Sequence, residues 1–375
     1  MDPDPREKIR VAFIINDFRV GGAQRLTADI MRRMDATRFE PVLITLFAIP
    51  GAQTMEHLLA EGAARYVLDF KGFLDIASWV GLISLLRRTR PHIVVSSLFF
   101  SNTATRILSP LLGYRAIATE HNTYVKKRWW ERLFDRLLSH WTCTIIAVSE
   151  SVKTFTAKQE GIPLSKFTVI ENGLDIEAMR EKVALRSRNE WKRSIGVEEE
   201  RPVILSVARL ILQKNPGLTI AGFAVFARTH PDYDLVIVGE GPLEMQLKGQ
   251  TRSLGVENRV HFMGARTDVD AFLGAADIFL STSRIEGFGL AHAEALAVGV
   301  PVVTTRTAGP DRMIREGRNG FFIAADTPES VAGALERVLA ADRAQLSSGA
   351  RAVAEEYDIR TTVRAYESLI EQAVR

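Results

Sequence analysis

The chain has 375 residues, and because one hydrophobic core rarely serves more than roughly 250–300 residues, two domains are expected. Its apolar fraction of 46%, charged fraction of 25% and net charge of +3 are those of a globular protein and do not favour bulk nucleic-acid binding. A single cysteine, Cys143, excludes an intrachain disulfide and suits a reducing compartment. The polar N-terminus is unlike a signal peptide, and no apolar run reaches the roughly 18 residues of a membrane span, so a cytoplasmic protein is expected.

In the first half of the chain, short apolar runs alternate with segments of helical periodicity. The runs are continuously apolar rather than alternating, which is typical of parallel strands that are covered on both faces of the sheet. They comprise residues 10–16, 41–47, 92–98, 115–119 and 143–148. Between them, Leu82, Leu85 and Leu86 follow a helical period that ends before Pro91.

The same pattern returns in the second half after a polar, charged stretch at about 175–200, which we interpret as a linker. The second set of apolar runs comprises 202–210, 233–241, 259–264, 276–283 and 300–305. Alternating strands and helices predict the α/β class, with two Rossmann-like parallel-sheet domains facing each other across a cleft. The expected domains are 1–178 and 179–358, and a C-terminal helix within 359–375 is expected to pack on either the second domain or, by crossing back, the first.

Ligands of open parallel sheets bind beyond the carboxyl ends of the strands, so the functional residues are expected in the loops that follow the predicted strands. After the first strand, Gly21 and Gly22 open a helix, where glycine lets a ligand approach backbone N–H groups at the positive end of the helix. A plain glycine turn is the alternative, and the dinucleotide spacing G-x-G-x-x-G is absent. The segment VGEGPLE at 238–244 is interpreted as a tight turn.

A histidine follows the fourth predicted strand. His121 comes directly after Glu120 in the segment ATEHNTY, so we expect its side chain at the carboxyl edge of the sheet. There it could donate a hydrogen bond to a substrate oxygen or transfer a proton near neutral pH. A structural hydrogen-bonding role is the alternative.

Two cations and a glycine-bounded helix start are candidates for binding a diphosphate in the second half. Arg209 ends the first strand of this half and Lys214 follows five residues later, and both types bind phosphate oxygens. In IEGFGLAHAEALAVG, glycines surround the start of a predicted helix beside Glu286. The alternatives are solvated surface cations and a first-turn acid that interacts favourably with the helix dipole.

Residues 126–138, KKRWWERLFDRLL, form an amphipathic pattern with a basic start and two tryptophans. Such a helix either docks on its own domain or lies on an anionic membrane surface. Asp268 and Asp270 form a D-x-D pair, which suits either a metal or the start of the following helix; the second interpretation is preferred, and no metal site is expected.

Taken together, these segments resemble the retaining glycosyltransferases of family four, which have the GT-B fold. The resemblance covers nearly the whole chain and depends most on EGFGLAHAEALAVGVPVV, whose Glu286 and Glu294 match the E-x7-E signature of the family. The other matching segments are VGGAQR (20–25), TEHN (119–122), VSES (148–151), IENGLD (170–175), ARLILQKNP (208–216), VGEGP (238–242) and HFMG (261–264).

The resemblance implies that the second domain binds a sugar nucleotide and that the first domain binds the acceptor. It implies that Arg209 and Lys214 contact the donor diphosphate, that Glu286 lies beside the donor sugar, and that Glu294 binds the ribose hydroxyls. His121 is implied to lie near the sugar and, with Glu286, Arg209 and Lys214, to form the catalytic set. The further implied donor contacts are Gly21, Gly22, Met263, Gly287, Phe288, Gly289 and Leu290, and the acceptor candidates are Asn122 and Asn172.

The implied reaction moves a sugar, with a UDP-sugar as the expected donor, to a glycan or lipid-linked saccharide in the assembly of lipopolysaccharide, capsule or exopolysaccharide. No cofactor or metal is expected, and the protein is placed in the cytoplasm or on the inner face of the cytoplasmic membrane. A sugar-nucleotide epimerase or a phosphorylase of the same architecture is the alternative. Arg312, where many relatives carry glutamate, and His292, where aliphatic residues are common, depart from the family pattern.

Overall fold

A computed structural model describes residues 7–51, 53–123 and 127–375, which form two α/β units. The first unit contains the chain up to Gly173 together with Ile359–Arg375, and the second contains Leu174–Asp358. The expected boundary at residue 178 falls inside a helix, Ile176–Ala184, of the second unit. The chain changes unit after Gly173. The helix then begins with Asp175, whose side chain caps it by accepting from the N–H of Ala178.

The first unit alternates strands and helices around one parallel sheet. Its elements are β1 (Ile9–Ile15), α1 (Gly22–Arg33), β2 (Phe39–Thr45), β3 (Ala64–Val67), α2 (Ile76–Thr89), β4 (Ile93–Ser97), α3 (Phe99–Leu112), β5 (Arg115–Glu120), α4 (Trp129–Leu138), β6 (Thr142–Ala147), α5 (Glu150–Glu160) and β7 (Phe167–Val169). The strand order in the sheet is β3-β2-β1-β4-β5-β6-β7. Strands β1, β2, β4, β5 and β6 are the five that were predicted; β3 and β7 are short edge strands without a clear apolar run.

Strand β1 shows why these runs are continuously apolar. Val11, Phe13 and Ile15 belong to a core on one face of the sheet, which also contains residues of α1. Ala12 and Ile14 belong to a second core on the opposite face, with α2 and α3. Since both faces are covered by helices, the buried positions 11–15 of the strand are all apolar.

The second unit repeats this architecture after two short helices. Its elements are α6 (Ile176–Ala184), α7 (Arg188–Ser194), β8 (Val203–Val207), α8 (Pro216–Phe226), β9 (Asp234–Val238), α9 (Glu244–Ser253), β10 (Val260–Phe262), α10 (Val269–Ala275), β11 (Ile278–Ser281), α11 (Leu290–Ala297), β12 (Val302–Thr304), α12 (Pro310–Met313), β13 (Gly320–Phe322), α13 (Pro328–Ala340) and α14 (Arg343–Ala354). The parallel strand order is β10-β9-β8-β11-β12-β13. The five predicted strands are β8 to β12, and the three-residue β13 was missed.

The charged stretch at 175–200 is not a linker, because α6 and α7 lie within it. Ser187 caps α7 by accepting from the N–H of Glu190, whose carboxylate accepts in return from the Ser187 N–H. Trp191 of α7 is buried, and its indole N–H donates to the Val183 carbonyl at 2.8 Å. The prediction of a linker was wrong because the few apolar residues of these helices are separated by charged residues that face solvent.

The C-terminal helix, α15 (Ile359–Val374), packs on the first unit. Val363, Tyr366 and Ile370 are buried in the same core as α1. The Glu367 carboxylate accepts from the backbone N–H of Asp35 at 2.8 Å, just after α1 ends. No helix in the described part of the chain is long and apolar enough to cross a bilayer.

In each sheet the strand order reverses direction once, between β1 and β4 in the first unit and between β8 and β11 in the second. Loops that leave two such neighbouring strands in opposite directions open a crevice at the carboxyl edge, where open α/β sheets bind their ligands. This edge is therefore the place to look for a site in each unit.

Candidate functional site

In the second unit, the residues predicted to bind a diphosphate lie on the two loops at the strand-order reversal. Arg209 and Lys214 follow β8, and the segment 286–290 follows β11, its neighbour in the sheet. Gln213 joins the loops, because its side chain donates to the Ile285 carbonyl at 3.2 Å and its own carbonyl accepts from the Arg284 N–H at 2.9 Å. The fold thus brings together two segments that are far apart in the sequence.

Lys214 and Glu286 form an ion pair across these loops. The Lys214 ammonium donates to Glu286 Oε1, and the Ser283 hydroxyl donates to the same oxygen at 3.1 Å. The two ionic side chains are 20% and 13% exposed. Burial by itself raises the pKa of Glu286, but the Lys214 ammonium and the hydrogen bond from Ser283 outweigh burial and leave this pKa below its ordinary value. Glu286 is therefore a fixed carboxylate at neutral pH.

Arg209 is exposed, and no described residue forms a hydrogen bond or ion pair with its side chain. The guanidinium is close in sequence to β8, so its position at the carboxyl edge is set by the sheet. A planar cation in this position can form two parallel hydrogen bonds with phosphate oxygens.

The start of α11 is shaped by Gly289. Its φ of 88° lies in the left-handed region, and a Cβ added there would lie 2.9 Å from Nδ1 of His292. No side chain within the described ranges caps this helix N-terminus. The glycine is therefore required by the fold, and the helix start presents backbone N–H groups and positive potential next to Lys214.

His292 packs beneath this helix start. Its Nε2 lies 3.0 Å from the Thr304 hydroxyl, and its ring packs edge-on against Phe279. Burial, partly opposed by Glu286, lowers the pKa of His292 to about 4, so the imidazole is neutral under physiological conditions. Histidine, unlike an aliphatic residue at this position, therefore forms a buried hydrogen bond with Thr304.

The loop after β9 packs closely on the Arg209 loop. Gly239 has a φ of 136°, and a Cβ there would lie 2.0 Å from the Ala208 carbonyl oxygen; a Cβ on Gly241 would lie 2.4 Å from that of Leu210. The N–H of Gly239 also donates to Gly264 at 2.7 Å, which places the neighbouring Met263 at the same edge. The tight turn interpreted from VGEGP therefore also positions the predicted donor-binding residues.

The remaining predicted residues of the second unit lie around the same helix. Glu294 is buried on α11, one turn after Leu290. Arg312 is exposed on α12, and this loop lies against the Glu286 segment because the N–H of Gly309 donates to the Glu286 carbonyl at 3.2 Å. Gly287 and Phe288 are buried within the segment.

In the first unit, Gly21 and Gly22 lie where β1 passes into α1. Gly21 is extended, with a φ of −178°, and an added Cβ would meet mainly the flexible end of Gln24. The backbone conformation itself does not demand glycine at this position.

His121 follows β5 at the carboxyl edge of the first unit. Its Nε2 lies 3.2 Å from the hydroxyl of Ser97, the last residue of β4, and burial lowers its pKa to about 4. Asn122 is half-buried, and its side chain accepts from the Thr123 N–H at 2.8 Å. Asn172 follows β7, two strands from β5 and thus about 10 Å along the sheet. His121 and Asn122 are together, whereas Asn172 is separate.

Helix α4 exposes much of its apolar side. Lys126 lies outside the described residues, and the helix itself runs from Trp129 to Leu138. Trp129 is 76% exposed and Leu137 53%, with Leu133 and Phe134 nearly half exposed. Arg128, Arg132 and Arg136 are also exposed. The helix contacts its own unit through Trp130, which packs against Phe99 of α3, and through the buried Leu138, but its other apolar side chains are left largely uncovered.

Asp268 and Asp270 do not act as a pair. Asp268 forms two hydrogen bonds with Arg266, at 2.8 and 2.7 Å, while Asp270 pairs with Lys182 at 2.6 Å. Within residues 7–51, 53–123 and 127–375, no group of three His, Cys, Asp or Glu side chains is arranged to hold a metal ion.

Sequence reasoning missed Gln213 and Ser283, which join the two loops and hold Glu286. Gln213 directly precedes Lys214, and Ser283 comes three residues before Glu286. The proximity of a hydroxyl to Glu286 in the sequence was the available signal. Only the tertiary structure shows that the Ser283 hydroxyl lies within hydrogen-bonding distance of the Glu286 carboxylate.

Comparison with known proteins places both units among glycosyltransferases. Residues 20–178 match the family model described as Glycosyltransferase Family 4, and residues 187–353 match that described as Glycosyl transferases group 1. The crystal structure of Anabaena Alr3699/HepE in complex with UDP and glucose has a TM-score of 0.83 and 21% identity over 97% of this chain and 100% of that chain. At this identity the structural likeness supports the fold, which is GT-B.

Two curated relatives are informative by name. The lipopolysaccharide core biosynthesis mannosyltransferase LpsB of Rhizobium meliloti is 28% identical over 54% of this chain and 61% of its own length. The UDP-Gal:alpha-D-GlcNAc-diphosphoundecaprenol alpha-1,3-galactosyltransferase of Escherichia coli is 27% identical over 70% of each chain. The chain spans only 52% and 61% of the length of the first curated relatives that it matches.

Proposed function

The chain belongs to the glycosyltransferases of family four, and from this membership we propose that it transfers a sugar from a nucleotide-diphosphate donor to a saccharide acceptor. The arrangement of Arg209, Lys214 and the α11 N-terminus on adjoining loops, next to the ionised Glu286, is the observation that carries this proposal. In our proposal the second unit binds the donor and the first unit binds the acceptor.

The proposed reaction breaks the bond between the anomeric carbon and the donor diphosphate. Negative charge then develops on the diphosphate, where Arg209, Lys214 and the backbone N–H groups of α11 stabilise it. One well-placed donor of this kind contributes about 3–4 kcal/mol to transition-state stabilisation. Because protein cations neutralise the leaving group, we expect transfer to continue in the presence of a metal chelator.

We propose retention of configuration by a front-face path. The departing phosphate oxygen takes the proton of the acceptor hydroxyl while that hydroxyl oxygen bonds to the anomeric carbon on the same face. Glu286, held ionised by Lys214, stabilises positive charge at the anomeric carbon and orients the sugar. His121 is neutral near pH 7, so its role in this scheme is to hydrogen-bond the sugar rather than to carry a proton.

The names of the relatives support a cell-surface glycan as the product. LpsB acts in lipopolysaccharide core biosynthesis, and the Escherichia coli enzyme is named for a diphosphoundecaprenol-linked acceptor. We therefore propose a glycan or lipid-linked acceptor and a UDP-sugar donor. Neither name favours an epimerase or a phosphorylase, so those alternatives are not proposed.

We further propose that the protein works in the cytoplasm, at the inner face of the membrane, and that α4 contacts anionic lipid. Exposed Trp129 and Leu137 supply the apolar side, and three exposed arginines supply positive charge. Co-sedimentation with anionic vesicles but not with neutral vesicles is the expected result. Equal partitioning with and without anionic vesicles would count against this contact.

A thermal-shift panel of UDP-, GDP- and ADP-sugars tests the donor proposal. A ligand at 100 times its dissociation constant stabilises the folded protein by about 2.7 kcal/mol, which raises the melting temperature measurably. We expect one nucleotide class to stabilise the wild type and to stabilise an Arg209→Met variant much less. No stabilisation by any nucleotide sugar, or release of free sugar without transfer to any glycan or lipid-linked acceptor, would overturn the proposed function.

A further inference from the structure

Five charged side chains form a buried cluster in the first unit, here called the Lys127 cluster: Arg106, Glu120, Lys127, Asp135 and Glu160. The Lys127 ammonium lies 2.9 Å from Asp135, contacts Glu160 and lies 3.9 Å from Glu120. Arg106 pairs with the other oxygen of Asp135. None of the five side chains is more than 9% exposed, and they come from α3, β5, α4, α5 and the segment before α4.

Burying five charged side chains in one cluster has a high desolvation cost. Burying a charge is costly unless it is paired, and breaking such a pair by removing one partner leaves an uncompensated charge. Three carboxylates face two cations, and burial raises the pKa of Glu160 to about 8, so the cluster retains a proton near neutral pH. Apolar side chains of similar volume would stabilise the packing of these helices at least as well. We therefore attribute the charged cluster to the specific positions in which its ion pairs hold the backbone.

The position of the cluster in the chain indicates that purpose. Glu120 is the last residue of β5 and immediately precedes His121, whereas Lys127 stands two residues before α4. Lys127 therefore ties the end of β5, and with it the described segment 121–123 that directly follows, to the start of α4. Asn102 of α3 fixes the end of β5 as well, by donating to the Thr119 carbonyl at 3.2 Å and to Glu120 at 3.4 Å.

We propose that Lys127 is a positioning residue: through its contact with Glu120 it holds segment 121–123 at the end of β5 and so fixes His121 and Asn122 for the acceptor side of the reaction. The proposal rests on the proposed function, in which the first unit binds the acceptor and His121 hydrogen-bonds the sugar. Since Lys127 itself is buried, it acts through the segment rather than by touching substrate. A displacement of about 1 Å in a reacting group can lower the rate roughly 100-fold, so loss of this constraint has a measurable cost.

Arg106 provides a matched control. Lys127→Met and Arg106→Met each remove one buried cation next to Asp135, but of the two cations only Lys127 is also paired with Glu120, directly before segment 121–123. Both variants should melt at lower temperature than the wild type. At a temperature where both are folded, we expect Lys127→Met to lower kcat/KM for the acceptor about 10- to 100-fold with an unchanged UDP affinity. Arg106→Met should leave both quantities within about two-fold of wild type, and Lys127→Arg should restore most of the transfer rate.

Hydrogen exchange provides a readout that needs no substrate. Amides of residues 121–123 should exchange faster in Lys127→Met than in Arg106→Met. If Lys127→Met does not fold, Glu120→Gln weakens the contact of Lys127 with the start of the segment without removing a cation, and faster exchange at 121–123 is again expected. Equal exchange, or equal acceptor kinetics, in the two methionine variants would overturn the proposal. Absence of nucleotide-sugar binding in the wild type would refute the proposed function instead, because exchange is measured separately.

Discussion

Replacing Lys214 with methionine separates the two roles that the structure gives to this side chain. In the folded protein the Glu286 carboxylate accepts from Lys214 and from Ser283. Lys214→Met leaves the carboxylate mostly buried, with the Ser283 hydroxyl as its remaining hydrogen-bond donor among the described residues. Because burial alone raises the pKa of Glu286, loss of Lys214 should move that pKa upward.

The size of the effect follows from the exposure of the pair. Removing one partner of a fully buried ion pair costs about 3–5 kcal/mol, and a hydrogen bond to a charged group contributes about 1.5–3 kcal/mol. These side chains are 20% and 13% exposed, so water can partly solvate the carboxylate that is left unpaired. We therefore expect the free energy of unfolding to fall by about 2–3 kcal/mol. For units of this size the melting temperature should fall by roughly 4–12 °C.

The catalytic role predicts a further loss that stability does not explain. If Lys214 binds the donor diphosphate, turnover in Lys214→Met should fall about 100- to 1,000-fold. UDP affinity should fall about 10- to 100-fold, as expected for one charge-assisted hydrogen bond. Thermal unfolding, UDP titration and transfer kinetics measure the three quantities independently.

The double variant Lys214→Met/Glu286→Gln tests the assignment. With both charges removed, stability should return towards that of the wild type, because neither charge is left unpaired. UDP affinity should stay low, since the cation is still missing. Wild-type UDP affinity in the double variant would show that Lys214 acts only through Glu286, and unchanged turnover in Lys214→Met would refute the diphosphate assignment.

Three further predictions concern single residues. Arg209→Met should weaken UDP binding about 10- to 100-fold with almost no change in melting temperature, because its side chain is exposed; a large melting shift would contradict this description. Glu160 has a folded-state pKa of about 8 against an ordinary value of 4.5, so the folded state binds its proton more tightly and this contribution to stability is lost as pH rises from 4.5 through 8. Glu160→Gln should reduce the fall in urea midpoint between pH 5.5 and 8, and an unchanged fall would count against a proton on the cluster. Gly289→Ala should destabilise by about 1–2 kcal/mol from its left-handed φ, plus a clash with His292. The control Gly255→Ala, with positive φ but no neighbour within 4 Å, should show the backbone cost alone, so equal losses would refute the clash.

Most of the strands that sequence reasoning located are buried on both faces. Strands β1, β2, β4, β5, β6, β8, β9, β11 and β12 are recognisable because helices cover both sides of each sheet and most of their positions are apolar and buried. The exception is β10, a short edge strand within the predicted run 259–264. Strands β3, β7 and β13 have only three or four residues and lie at sheet edges, where fewer positions are buried. Their pairing comes from neighbouring strands, so their own sequence carries little signal.

Helices α6 and α7 show a second limit. Their caps, Asp175 and Ser187, were present in the sequence, but the surrounding charge favoured a linker. Trp191 becomes a core residue because α10 lies close enough for an added Cβ on Gly274 to clash with its ring. Local composition could not reveal this contact.

By itself the sequence determined the residue types at the carboxyl edges: the glycines, cations and acids that an anionic sugar donor would require. Only the tertiary structure decided which of them meet. Lys214 and Glu286 are separated by 72 positions, and they form a pair because β8 and β11 are neighbours in the sheet. The Lys127 cluster likewise depends on the packing of α3, α4 and α5 beside β5. Sequence patterns report the local environment of each residue, whereas contacts between distant residues arise from strand order and helix packing, which no single segment encodes.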